Sequence, residues 1–150
     1  MRGRIRRATR EDWPAITAIA KHSPYTKGVT NPRVVAADTI ERGEMAVCEA
    51  DGQVVGFVAV RHLVRKPYTS LHYVGVHPEW RSRGVGERLV RWAWRKSPHK
   101  TVRLLCEIEN KPAHKFYRRL GFEQVDRGAN ASGTPYYVYM IDSEPVLRNG

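Results

Sequence analysis

Apolar residues recur along this chain with two periods, and stretches of period two alternate with stretches of period three to four. Arg4 to Ala8 alternates and reads as a first strand. Thr9 stands as an N-cap with Asp12 as its acidic N3 partner, and Trp13, Ile16, Ile19 and Ala20 then make one helical face that stops near His22-Ser23-Pro24. Residues 23–31 are loop-like. Asn31-Pro32 has the form of an N-cap followed by N1, which predicts a second helix to about Arg42. Met45 to Ala50 and Val54 to His62 are strands joined by Asp51-Gly52, a hairpin turn pair. A fourth strand runs from Ser70 to Val76. The helix from Gly84 to about Lys96 is expected to bury Val85, Leu89, Trp92 and Ala93, and Pro98 stops it. Val102 to Cys106 is a fifth strand. Lys111 to Leu120 is a helix with Ala113, Phe116, Tyr117 and Leu120 on one face and Gly121 at C′. Phe122 to Asp126 and Tyr136 to Ile141 form an antiparallel pair around a glycine-bearing loop at 128–133, and 143–150 read as a tail.

The order is therefore β-α-α-β-β-β-α-β-α-β-β, an α+β arrangement for which 150 residues supply one domain and one core. There is no apolar run long enough for a membrane span and no leader-like segment, so the expectation is a cytoplasmic protein without a membrane partner. Cys48 and Cys106 sit in strand-like apolar runs and read as buried thiols of a reducing compartment. No Cys/His spacing suggests a metal. The net charge of +11 changes the picture more than the composition does. Residues 81–119 carry 12 Lys and Arg against 3 Asp and Glu. Such an excess draws a polyanion, either a phosphorylated cofactor or a nucleic acid.

The chemistry gathers in Leu71-His72-Tyr73-Val74-Gly75-Val76-His77-Pro78 and the loop that follows it, Arg81-Ser82-Arg83-Gly84-Val85-Gly86. A strand, a loop of free backbone N–H groups and a helix start make an anion site. Gly84 and Gly86 would let a phosphate approach the backbone. Arg81-Ser82-Arg83-Gly84-Val85-Gly86 after Val76-His77-Pro78 resembles motif A of the GCN5-related N-acetyltransferases (GNAT). A second block, Asn110 to Phe122, is similar to that family's Asn…Tyr…Leu-Gly-Phe segment. The resemblance covers most of the chain and is weakest between 22 and 44. It implies a GNAT fold, a mixed and mostly antiparallel sheet with helices on both faces, whose fourth and fifth strands splay to admit acetyl-CoA.

The resemblance also implies roles. Arg81 or Arg83, with the backbone of Ser82, Gly84, Val85 and Gly86, would hold the pyrophosphate. The Val76 backbone would bind the pantetheine arm, and the Val74 N–H would polarise the thioester carbonyl. Asn110 would contact the same arm, or serve as the N-cap of the helix after it. Tyr117 would hand a proton to the leaving thiolate. Many members place a glutamate early in strand four, where this chain has Ser70. Two residues on, His72 resembles the histidine of arylalkylamine N-acetyltransferases. Strand alternation would put it on the side of Val74 and Val76, and its ordinary pKa fits a base. Glu107 is the rival base, with Glu44 and Glu109 behind it. The activity implied is direct acetyl transfer to a primary amine of a small molecule or peptide, by a monomer or homodimer. The alternative is a nucleic-acid-binding or nucleobase-modifying protein on the same scaffold, which the motifs do not favour. The 22–33 and 128–135 loops are expected to line the acceptor pocket.

Overall fold

The computed structural model describes residues 3–26 and 38–147. Its strands are β1 (Arg4–Arg7), β2 (Met45–Ala50), β3 (Gln53–His62), β4 (Thr69–Val76), β5 (Val102–Glu107), β6 (Glu123–Ala129) and β7 (Pro135–Ile141). The helices are α1 (Trp13–Ala20), α2 (Val85–Lys96) and α3 (Lys111–Leu120). All the strands join one sheet in the order β1-β2-β3-β4-β5-β7-β6. Every neighbouring pair is antiparallel except β4 and β5, which are parallel. The helix expected from Asn31 falls largely outside the described residues. From 38 to 43 the chain is a series of turns, with the Arg42 N–H donating to the Asp38 carbonyl at 2.9 Å.

Local chemistry accounts for most boundaries. Asp51 and Gly52 both take positive φ, 52° and 77°, as a two-residue hairpin turn of matching twist requires. Gly121 takes φ 105° at the end of α3, where its N–H and that of Phe122 close on the carbonyls of Arg118 and Tyr117. Asp12 accepts from the Thr9 N–H at 2.7 Å, as expected, and also receives a two-pronged ion pair from Arg6 at 2.8 and 2.9 Å. Two expectations needed correction. In α2 the buried face is Val85, Leu89, Val90 and Ala93, with Trp92 only half-buried. The 128–133 loop contracts, because β6 runs on to Ala129. The turn closes on Asn130, whose side-chain oxygen accepts from the N–H groups of Ser132 and Thr134.

The core lies on both sides of the sheet. On one face α2 and α3 cover Ala46, Val58, Val60, Leu71, Leu104 and Tyr139, among others. On the other, α1 covers Met45, Val47, Phe57, Ala59 and Tyr73. One irregularity in β4 positions everything that follows. Ala59 pairs with Tyr73 but Val60 pairs with Leu71, so His72 is an extra, bulged residue. The parallel ladder to β5 has just two rungs, Thr69–Val102 and Ser70–Arg103, and it ends immediately before that bulge. A bulge bends its strand and tightens the local twist. Beyond it β4 follows β3 while β5 follows β7, and a gap opens between β4 and β5.

Candidate active site

The bulge decides which backbone groups face the gap. The Thr69 N–H donates towards β5, to the Thr101 carbonyl at 2.8 Å, whereas the His77 N–H donates the other way, to Val55 on β3 at 2.8 Å. N–H directions alternate along a strand. An unbroken strand would aim all the odd-numbered residues one way, and the extra residue inverts this. Counting back from His77, the N–H groups of Val76 and Val74 point into the gap. The same inversion puts Leu71 with Val74 and Val76 on the α2 side of the sheet. Simple alternation from Val74 does not carry through His72, because the bulge breaks it there.

A cleft of about 1140 Å³ occupies the gap. Its walls include Ser70 to Val76 of β4 and Leu104 to Glu107 of β5. Its floor and mouth include Asn110, Phe116 and Tyr117, together with Arg81, Ser82, Gly84, Val85 and Gly86. On the side of α1 it is lined by Ser23, Pro24, Tyr25 and Thr26, but by no residue of the 128–135 loop, contrary to expectation. Residues 27–33 of the first expected loop lie outside the described residues.

At the mouth, Ser82 and Gly84 both take left-handed backbone angles, φ 62° and 83°. The backbone N–H groups of Val85 to Glu87 form the open first turn of α2, with no acceptor among the described residues. The space around a Cβ at Gly84 is empty. Gly86 has a different reason to be glycine. A Cβ there would come within 3.1 Å of the Phe116 ring and 3.8 Å of Val76, so its hydrogen lets α2 sit close against α3 and β4. The two arginines part company. Arg81 lines the cleft, while Arg83 lies over the Trp80 ring, 4.9 Å from its centre, and does not.

Deeper in, Tyr117 is 7% exposed and wedged between Phe116 and Phe122, with ring centres 5.2 and 5.4 Å away. Burial first, and the neighbouring Cys106 second, push its phenol well above the ordinary tyrosine value, so it stays protonated. Burial and nearby Glu107 push the Cys106 thiol up to about 11, which leaves it a poor nucleophile. His72 is exposed in the cleft wall. Desolvation, and then the charge of Arg61, lower its pKa against the pull of Glu44, so the imidazole is neutral at pH 7 and free to accept a proton. Glu107 lines the opposite wall. Glu44 is committed elsewhere: its carboxylate accepts from Arg42 and from the His62 N–H. Asn110 occupies the N-cap position of α3, but its side chain makes no capping hydrogen bond and lines the cleft.

Sequence reasoning missed His114. This residue is buried in α3, its Nε2 lies 2.9 and 3.1 Å from the carbonyl oxygens of Glu107 and Ile108, and its Nδ1 is 2.7 Å from the Tyr139 hydroxyl. Two carbonyls accept only, so Nε2 carries the hydrogen and Nδ1 accepts from Tyr139. The ring thereby clamps the β5–α3 junction that carries Glu107 and Asn110. Its spacing to Tyr117 and Leu120, three and six residues on, was the available signal.

Comparison with known proteins agrees with this geometry. Residues 41–124 match the family model described as an acetyltransferase (GNAT) domain. Over 130 residues the chain is 31% identical to the 5-NmdU N-acetyltransferase of Pseudomonas phage PaMx11, covering 86% of this chain and 93% of that protein. The fold superposes on Ard1 from Thermoplasma volcanium with a TM-score of 0.75 at 22% identity, over 94% of this chain and 97% of that one. It also superposes on Arabidopsis thaliana Naa50, solved with the bisubstrate analogue CoA-Ac-MVNAL, with a TM-score of 0.75 at 20% identity, over 94% of this chain and 99% of that one.

Proposed function

The chain belongs to the GNAT family of N-acetyltransferases, and from that premise we propose that it moves an acetyl group from acetyl-CoA directly to a primary amine, without an acyl-enzyme. The observation that carries this reading is the glycine-bearing loop Arg81 to Gly86 running into the open first turn of α2, at the mouth of a gap opened between β4 and β5. A pyrophosphate meets the N–H groups of that turn with Arg81 beside it, and the open side of Gly84 admits it. Arg83 helps by its charge and by packing on Trp80. The pantetheine arm runs along the free edge of β4 at Val76 and past Asn110. The Val74 N–H then faces the thioester carbonyl and stabilises the negative charge that grows on its oxygen as the amine attacks.

The incoming nitrogen forms the C–N bond and loses a proton to His72, with Glu107 as the second candidate. The C–S bond breaks, and the leaving thiolate takes the Tyr117 proton. A neutral imidazole and a phenol held protonated are the states those two roles need.

For the acceptor, a small-molecule or peptide amine is the first reading. A specific observation favours a second, an amine on a nucleobase: the match to the phage enzyme named for 5-NmdU extends well beyond the family segment and covers nearly that whole protein. Calorimetry with acetyl-CoA and thiol release with peptide, aminoglycoside, arylalkylamine and aminomethyl-pyrimidine acceptors test both levels. Failure to bind acetyl-CoA refutes the cofactor reading. Turnover confined to peptide amines refutes the nucleobase one. Retention on DNA at low salt decides nothing for so basic a chain, and only binding that survives about 0.15 M salt counts.

A further inference from the structure

One rung of the sheet, next to the bulge, places two arginines on either side of Ser70. Arg61 of β3 faces Ser70 of β4, and Ser70 faces Arg103 of β5. Their sequence neighbours Val60, Leu71, Val102 and Leu104 all enter the core beneath α2, so these three side chains stand on the opposite face of the sheet. The packing of α1 on that face reaches Phe57, Ala59 and Tyr73 and does not extend to this rung. Arg61 is exposed, and Ser70 and Arg103 are half-exposed. With strands about 4.8 Å apart, the two arginine Cα atoms lie roughly 10 Å from each other. Stems of arginine length are long enough for both guanidinium groups to reach one group between them.

Neither arginine is neutralised by a described carboxylate. No ion pair among the described residues involves Arg61 or Arg103, and the remaining residues of the chain include no Asp or Glu. Glu44 is held by Arg42 and the His62 N–H. Elsewhere in the sheet the rule is different, since Arg6 on β1 is matched by both Asp12 and Glu49. Arg103 is also held in place. Its guanidinium lies 5.2 Å from the centre of the Tyr68 ring, with one nitrogen 3.5 Å from the Tyr68 hydroxyl, and its other donors have no partner among the described residues. A pre-positioned guanidinium loses less freedom on binding an anion than a loose one does.

We propose that Arg61, Ser70 and Arg103 form an anion site on the acceptor side of the cleft that holds a phosphate of the acceptor, so that the amine substrate is a phosphate ester of nucleotide size. Two arginine forks and a hydroxyl match the oxygens of a phosphate. Ser70 and His72 line the cleft, and the two arginines flank Ser70 just outside it. From Ser70 to Val74 is about 13 Å of strand, less what the bulge takes up, a length that a base, its sugar and its phosphate together bridge. An amine on the base then reaches the Val74 end, beside His72, while the phosphate stays at the rung. This inference rests on the acetyl-transfer reading of the same cleft. A free mononucleotide and one unit of a nucleic-acid strand offer the same chemistry.

The test uses an aminomethyl-pyrimidine nucleoside, its 5′-monophosphate and a single-stranded oligonucleotide carrying the same base, with thiol release as the readout. The expected kcat/KM is at least about tenfold higher for the monophosphate than for the nucleoside. Arg61→Gln and Arg103→Gln should each pull that ratio towards one, and Arg→Lys should restore part of it. Preference for the monophosphate identifies a free nucleotide as the source. Preference for the oligonucleotide, with a steeper salt dependence, identifies a strand. A ratio of one in the wild type, with turnover intact, overturns the anion site and leaves acetyl transfer standing. If none of the three is acetylated, calorimetry of uridine 5′-monophosphate still decides. Binding at least about tenfold weaker in the double Gln variant upholds the site, and binding indifferent to both arginines overturns it. Loss of acetyl-CoA binding in the wild type would instead defeat the transfer reading, independently of either result.

Discussion

Replacing Tyr117 by Phe removes one oxygen and tests the acid directly. The ring contacts to Phe116 and Phe122, at 5.2 and 5.4 Å, survive the change. Neither a side chain nor a backbone group is among the causes of the phenol's shift through a hydrogen bond; they are burial and Cys106 alone. Folding free energy should therefore change by no more than about 0.5 kcal/mol, read as an unshifted denaturation midpoint. The rate should suffer far more. General-acid catalysis contributes about 10²-fold or more, so kcat should fall about 100-fold, roughly 2.7 kcal/mol of transition-state stabilisation, with the Kd of acetyl-CoA unchanged. The pH profile adds a second check. Because the phenol is held above its ordinary value of about 10, it remains protonated across the neutral and mildly alkaline range, and the wild type should show no alkaline loss from this group below about pH 10. Stopped-flow measurement of acetyl transfer and thiol release separates chemistry from product release. A folded Tyr117→Phe protein with full single-turnover rate would show that the thiolate departs without this acid.

Three further expectations follow from the same geometry. His72 has a lowered pKa, so kcat/KM should fall as pH drops below about 6.5, the ordinary histidine value. His72→Ala should lose both rate and that limb; if Glu107→Gln does so instead, the base is on β5. Gly86→Ala should destabilise the protein and weaken acetyl-CoA binding together, because its Cβ would press on Phe116 at 3.1 Å. Gly84→Ala has open space but a backbone angle of 83°, and should cost only about 1–2 kcal/mol; equal effects of the two on packing, read by near-ultraviolet circular dichroism, would contradict this division. Asp12 is held below its usual carboxylate range, chiefly by Arg6. Its stabilisation is present above the unfolded value of about 3.9 and is lost as pH falls through the lower folded value. Asp12→Ala should remove about 2 kcal/mol at pH 7 and flatten the acid limb of a urea-denaturation series, and an unchanged limb would place acid sensitivity elsewhere.

The linear chain determined the elements because their signals are local. Thr9 and Asp12, Asp51-Gly52 and Gly121 act within a turn of themselves, and their structures follow from backbone angles and nearby hydrogen bonds. The loop from Arg81 to Gly86 was legible for the same reason: a left-handed Gly84 followed by a helix start leaves N–H groups unpaired whatever the rest of the fold does. Local signals did not give everything even there. Gly86 is required by Phe116, thirty residues away, and the burial of Val90 in place of Trp92 follows from how α2 lies on the sheet. What only the tertiary structure decided is what depends on pairing between distant strands. The extra residue at His72 exists only relative to β3, since no strand is bulged by itself. That one residue inverts the backbone, turns the Val74 and Val76 N–H groups towards the gap and breaks the alternation by which counting assigned His72 a side. His114 gained its role from two carbonyls and a tyrosine that folding brought around it. Arg61 and Arg103, more than forty positions apart in the chain, became neighbours of Ser70 only when three strands fell into register. Side-chain periodicity is a property of one segment, whereas register is a property of two, and this cleft is built on register.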